Sequence, residues 1–450
     1  MHPQDQPIDG LGDLVGYFRS AEKPREQWRV GTEHEKVGVY ADTGDRVPFE
    51  GPYGIAALFD RLVSEGGWER IEERGRTIAL ESTTGGGSIT LEPGGQFELS
   101  GAPLYTNQET SAELHAHLEL VKRLSEDFGI AWLALGMDPF HPVDQIPTMP
   151  KARYDVMRAY LPTRGSLGLE MMHATATVQA NYDFSDEADM IAKMRVGLVA
   201  TPVVSALFAN SSLSSGRENG FMSRRLMIWR DTDPDRCGLI PFVFDPDFGY
   251  ERYAQWALDV PLFFVVRGKH YEAGDGTTFR QFMERGFRDL RPTLRDWETH
   301  LTTLFPDVRL KRIIEVRGAD TASEGHLFAL PALWKGIFYD AEALETAWEL
   351  LGRTSVAELD AGQLDVAKRG LRAEMGGRKV LDLARELVRC SAEGLRRIAA
   401  ETDSGASEVG FLDPLLLQID KGVSPGEETL ERWRGEWNRD WSSLIEATRF

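Results

Sequence analysis

SITLEPGGQFELSG, Ser88–Gly101, is the stretch on which the reading of this chain turns. Successive side chains on a strand alternate, so Ser88, Thr90 and Glu92 face one way and Ile89 and Leu91 the other. Pro93-Gly94-Gly95 then interrupts the ladder as a bulge or tight bend would. Beyond it Gln96, Glu98 and Ser100 share a face opposite Phe97 and Leu99. One side is apolar and packs; the other carries two carboxylates and an amide.

Three further stretches repeat the pattern. In VGTEHEKVGVY (Val30–Tyr40) Glu33 and Glu35 share a face, with His34 on the reverse. In MHATATVQANYDF (Met172–Phe184) Thr175, Thr177, Gln179, Asn181 and Asp183 form an unbroken polar face. In VRLKRIIEVRGAD (Val308–Asp320) Arg309, Lys311, Glu315 and Arg317 fall together. Any half-exposed sheet has polar faces backed by apolar ones. Four of them, bearing Glu33, Glu35, Glu92, Glu98 and Glu315, point to a sheet curved around one shared site.

Carboxylates at close range drive one another toward protonation unless a counter-charge arrives. Mg²⁺ is an economical answer, since it binds through a few carboxylates plus substrate phosphates. Arg317, two residues beyond Glu315, suits a phosphate oxygen that needs a planar donor. The pattern therefore predicts nucleotide–metal chemistry without a P-loop: G-x-x-x-x-G-K-[ST] is missing, and Gly85-Gly86-Gly87 reads as a turn. No H-E-x-x-H spacing supports zinc and no G-x-S-x-G supports a serine nucleophile.

Bulk properties agree with an ordinary globular enzyme. The chain has 450 residues, 42% hydrophobic and 27% charged, and a net charge of −20 that argues against general nucleic-acid binding. Cys237 and Cys390 are too few for a disulfide framework and read as free thiols in a reducing compartment. MHPQDQPIDG lacks the layout of a signal peptide, and no stretch reads as approaching the ~20 apolar residues of a membrane span. The expectation is a cytoplasmic protein with no membrane or nucleic-acid partner.

Along the chain, helices are expected over Gly51–Trp68, Asn107–Phe128, Met149–Pro162, from Ser185 as a cap to about Ala209, and from about Pro331 onward. Strands are expected over Glu26–Tyr40, Thr77–Gly101 with its turn at Thr84–Gly87, Ile130–Phe140, Glu170–Phe184, Val260–Gly268 and Val308–Asp320. With no repeat and no linker, residues 1–450 read as one intertwined α+β domain with a helical C-terminal part.

At GTEHEKVG, SITLEPGGQFELSGAP, IPTMPKARYDVMRAYLP, TVQANYDFSDEADMIAKMRVGL and DWETHLTTLFPDVRLKRIIEVRGAD the sequence resembles glutamate–cysteine ligases of the plant and proteobacterial type. The resemblance runs from about residue 27 to 340 and fades toward the C-terminus. It implies a glutamine synthetase/guanidino kinase-like fold: a curved, mainly antiparallel sheet forming a funnel, with helices outside. It also implies a reaction in which ATP phosphorylates the side-chain carboxylate of L-glutamate and the amine of L-cysteine attacks the acyl phosphate. That is the first step toward glutathione.

By this resemblance Glu33, Glu35, Glu92, Glu98 and Glu315 would hold two or three Mg²⁺ ions, and Gln179 and Asn181 would contact metal or nucleotide. Glu315, Arg317 and Lys311 would form the catalytic group, the two cations meeting the phosphates. Arg225 and Trp229 would recognise the amino-acid substrate, with Thr175, Thr177, Arg153 and Arg164 as further candidates. Glutamate, cysteine and ATP are the expected small-molecule partners of a monomer or homodimer. Two departures bear on acceptor choice. The family often reads T-C-T-V-Q where this chain has Ala176 after Thr175, and G-G-P-W-R-R-L-C where it has Thr321–Phe328. They keep open a related ligase with another amine acceptor; a non-catalytic nucleotide or glutamate sensor and, more distantly, a guanidino kinase stand beside it as separate alternatives.

Overall fold

A computed structural model describes residues 6–401 and 407–450. Its main sheet contains β1 (Val30–Tyr40), β2 (Trp68–Glu73), β3 (Arg76–Ser82), β4 (Ser88–Leu91), β5 (Phe97–Ser100), β6 (Ile130–Leu133), β7 (Thr177–Tyr182), β8 (Val308–Leu310) and β9 (Ile314–Asp320). The order is β8-β9-β7-β1-β5-β4-β3-β2, with β6 on the far half of β1, and every pairing is antiparallel.

Register decides what the polar faces do together, because residues directly opposite on neighbouring strands share a face. Thr90 lies opposite Glu98, and Glu98 opposite Glu35, making one row across three strands. Ser100, Glu33 and Gln179 make the next. Asn181, Glu315 and Arg309 make a third. The opposite face carries Ile89, Leu91, Phe97, Leu99, Val178 and Ala180, all buried in one core with the helices behind.

Pro93-Gly94-Gly95 is the tight bend of a β4–β5 hairpin, closed by Glu92 N–H to Gln96 O and Gly95 N–H to Glu92 O, both 2.9 Å. Gly95 has φ +81°, a conformation glycine adopts at no steric cost. A Cβ on Gly94 would stand 2.1 Å from the His173 carbonyl oxygen, so only glycine fits there. The Thr84–Gly87 turn lies between β3 and β4 as expected.

Several expectations change. Glu170–Phe184 is not one strand: Gly168–Ala174 is a helix, and the ladder starts at Thr177. Alternation reads as a strand only where neighbours offer hydrogen bonds, and β1 and β9 meet this segment only from Thr177 onward. Val308–Asp320 is likewise a hairpin rather than a single strand. The helix expected from Ser185 runs Glu187–Phe208 and is capped by Asp186, whose side chain accepts from Asp189 N–H. Pro331 lies inside the helix Glu324–Phe338, so the helical part begins earlier than expected.

The expectation about apolar stretches is also overturned. Glu187–Phe208 is long and apolar enough, by length and composition, to cross a membrane. It is a core helix: residues 196–208 are all buried, packed behind β9 and against the C-terminal helices. Cys237 and Cys390 are both free thiols, Cys390 buried and Cys237 half-buried.

Candidate active site

The polar faces of β1, β4, β5 and β7 line one side of a cavity of about 330 Å³. Glu33, Glu35, Glu92 and Glu98 lie along this wall. Glu35 and Glu98 are buried, Glu33 and Glu92 half-buried. Burial pushes the Glu35 carboxyl well above the usual carboxylate range, and the charges of Glu92 and Glu98 push it further. Burial raises Glu33 too, with Glu315 and Glu98 adding to it, and burial and Glu92 raise Glu98. The hydrogen bonds they accept offset this only in part: Thr177 N–H to Glu35 (3.0 Å), Ser100 and Thr90 hydroxyls to Glu98, and the Gln179 and Asn181 amides to Glu33 (3.2 and 3.1 Å).

Such a wall calls for added positive charge, which is the condition a hard divalent cation meets. Among the described residues no three acidic or imidazole groups converge closely enough to cage an ion unaided. The donor set therefore fits an ion such as Mg²⁺, which takes one or two carboxylates and completes its shell with water and phosphate oxygens.

The lining from the β8–β9 hairpin is basic. Arg309, Lys311 and Arg317 line the cavity and converge on Glu315 behind it. Arg309 reaches Glu315 through two nitrogens at 2.7–3.2 Å, Lys311 at 2.8 Å, and Arg317 also bonds it. Burial alone would raise the Glu315 carboxyl, but these three cations together hold it well below the usual range. Glu315 is fully buried, and both of its oxygens accept from these cations. Arg317 also donates to the Gln179 amide oxygen at 2.6 Å, which joins the basic wall to Glu33 through a single side chain.

Arg225 and Trp229 come from the helix Arg224–Arg230 and complete the floor. Arg225 is only 1% exposed and donates from one nitrogen to the Arg317 carbonyl at 3.0 Å. Its Nε and Nη1 and the Trp229 indole nitrogen are buried with no hydrogen-bond partner. Arg225 Nη1 also lies 3.9 Å from an oxygen of the buried Asp320.

The remaining candidates divide. Arg153 lines the cavity 3.9 Å from Glu92, its Nε also unpartnered. Thr175 and Thr177 line it as well, but their hydroxyls donate to the Met171 and Ala319 carbonyls (2.8 and 2.6 Å) and serve the backbone. Asn181 acts through Glu33 and is absent from the cavity wall. Arg164 is elsewhere, paired with Asp233 and Asp235. Sequence reasoning passed over Met171 and Met172, hidden by the strand assignment, and Arg309, whose signal was its shared face with Lys311 and Glu315. Ala176 is fully buried on the reverse face with Val37 and Leu133, and none of residues 321–328 lines the cavity.

The sequence profile of glutamate-cysteine ligase family 2 matches residues 29–446. The chain belongs to this family. Among curated members, the chloroplastic glutamate–cysteine ligase of Solanum lycopersicum is 44% identical over 437 residues, covering 96% of this chain and 82% of that one. Ligase B of Oryza sativa subsp. japonica is 45% identical over 430 residues, 95% of this chain and 84% of that one. A crystal structure of a glutamate–cysteine ligase from Francisella tularensis in complex with AMP shares the fold at a TM-score of 0.54. It is 12% identical and covers 94% of this chain and 87% of that one. The plant family members are named as chloroplastic, which overturns the expected cytoplasmic location.

Proposed function

We propose that this member of glutamate–cysteine ligase family 2 joins the γ-carboxylate of L-glutamate to the amine of L-cysteine at the expense of ATP. The observation that carries the reading is the cavity itself, about 330 Å³ in volume, whose lining joins the acidic set Glu33, Glu35, Glu92 and Glu98 to the basic set Arg309, Lys311 and Arg317. Nucleotide triphosphate and its cations match these two sets in charge.

Two or three Mg²⁺ ions, held by the acidic wall, would supply Lewis-acid neutralisation of the triphosphate. Lys311 and Arg317 are poised for the phosphoryl oxygens as charge builds on them, and Glu315 fixes both so that neither must reorganise during transfer. Arg225 and Trp229 offer their unpartnered donors to the α-carboxylate of glutamate, which leaves its side chain free to reach the γ-phosphorus of ATP. The γ-carboxylate oxygen attacks that phosphorus and ADP leaves. The cysteine amine then attacks the acyl carbon and expels phosphate.

With both family departures lying off the cavity, nothing on its wall argues for another acceptor. Steady-state ADP release tests this: it should require Mg²⁺, glutamate and cysteine together, and Glu98→Gln should abolish it. Equal or faster release with a different amine would displace cysteine from the assignment. Glutamate, cysteine and ATP are the partners this reading requires, in a monomer or homodimer without nucleic-acid or membrane partners.

A further inference from the structure

The bend Pro93-Gly94-Gly95 sits between two of the acidic residues, Glu92 at its start and Glu98 just beyond it. Buried backbone groups must be paired, so the partners of this bend can be traced one by one. Leu91 O accepts from Lys151 Nζ (2.9 Å) and the Tyr154 hydroxyl. Pro93 O accepts from Met149 N–H at 2.9 Å. Gly94 N–H donates to the Gln96 side-chain oxygen at 3.0 Å, and the Gln96 amide in turn donates to the Met172 and Thr175 carbonyls. Gly94 O accepts from Arg46.

Arg46 is 5% exposed and follows β1, the strand that carries Glu33 and Glu35. One of its terminal nitrogens donates to Gly94 O and the other to Asp138 at 3.1 Å. Asp138 is fully buried, and its other contacts are the Phe140 and His141 amides and the His141 ring. The Asp138 amide donates to Ala174 O at 2.7 Å, next to the Thr175 carbonyl that holds Gln96. The bonds form a closed circuit from the bend through Arg46, Asp138 and the end of the helix Gly168–Ala174 back to the bend. Arg46 does not line the cavity, so it touches no substrate.

We propose that Arg46, held by Asp138, is a positioning residue that fixes the β4–β5 bend and thereby sets Glu92 and Glu98 against Glu33 and Glu35. The inference rests on reading the acidic wall as a cation site, and its test keeps the two apart. Full-length Arg46→Met, Arg46→Lys and Asp138→Asn are compared with the parent by amide hydrogen exchange and by Mn²⁺ titration followed by electron paramagnetic resonance.

In Arg46→Met, exchange across residues 88–101 should speed by about tenfold while that of residues 187–208 holds. Mn²⁺ affinity should fall ~10- to 100-fold, the usual consequence of removing a group that orients a metal ligand. Arg46→Lys, which keeps the charge but loses the two-armed fork, should recover part of both. Asp138→Asn should show the same pattern more weakly, and it decides the matter if Arg46→Met does not fold. Unchanged exchange at 88–101, or faster exchange spread evenly over the chain, overturns the clamp. Absence of Mn²⁺ binding by the parent overturns the cation reading, while exchange still decides the clamp.

Discussion

Arg317 and Arg225 sit side by side, yet the structure gives them different work. Arg317 is tied to Glu315 and Gln179 at the junction of the acidic and basic sets, whereas Arg225 has two guanidinium nitrogens, Nε and Nη1, without a hydrogen-bond partner. Arg317→Met should therefore lower kcat ~10²- to 10³-fold with little change in the glutamate KM, as loss of a donor to developing charge does. Arg225→Met should instead raise the glutamate KM by about tenfold or more, because a charged hydrogen bond of ~1.5–3 kcal/mol is made in the ground state. Initial-rate kinetics separate the two, and matching changes in both variants would refute the division. Glu33, Glu35, Glu92 and Glu98 were legible in the sequence because strand alternation alone puts them on one face. The part Glu315 plays was not legible. It depends on burial and on three cations meeting one carboxylate, which alternation does not report.

At the scale of elements, β4 and β5 were legible as faces but not as a hairpin. A bulge and a tight bend put the same residues on the same side, and only the pairing of Thr90 with Glu98 distinguishes them. The helix Gly168–Ala174 was missed because Met172 and Ala174 continue the alternation of Ala176, Val178 and Ala180, although the adjacent Met171 breaks it. The departure at Ala176 becomes interpretable only once β7 has two sides. Ala176 packs on the side away from the cavity. Ala176→Cys should accordingly leave the cysteine KM within about twofold while destabilising the fold by ~1–3 kcal/mol, as overpacking a full core does. Thermal melts and acceptor kinetics on the one variant check both halves. A tenfold shift in cysteine KM would put residue 176 back in acceptor selection.

Across the whole molecule, buried imidazoles contribute to the response to acid. His173 and His326 are held down to about 4 and His300 to about 3, each by burial first, and burial likewise holds His117 well below the usual range. A group whose pKa is depressed by folding lends stability above its unfolded value, near 6.5, and that stability drains as pH falls toward the folded value. Each proton bound only by the unfolded chain costs about 1.4 kcal/mol per pH unit. Burial also raises carboxyls, those of Glu33, Glu35, Glu98, Glu113, Asp307, Asp320 and Glu427, and these work in the opposite direction. The imidazole share is therefore read by difference: as pH falls from 6.5 to about 4.5, the urea-unfolding stability of the parent should drop relative to that of His300→Asn. Parallel profiles would contradict a buried neutral imidazole at His300. One core cluster joins residues from Leu14 to Ile419, and from it we infer that the described residues fold as a single unit.

The helix Glu187–Phe208 raises a question of timing. Its shelter comes from β9 at Ile314–Asp320 and from the helices Ala341–Leu351, Val356–Arg369 and Val380–Glu401, all translated long after it. A nascent chain therefore emerges from the ribosome carrying a greasy rod that stays uncovered until most of the message has been read. Biogenesis of this enzyme should thus lean on holdase chaperones during that interval, and truncations ending before Ile314 should aggregate where the complete polypeptide does not.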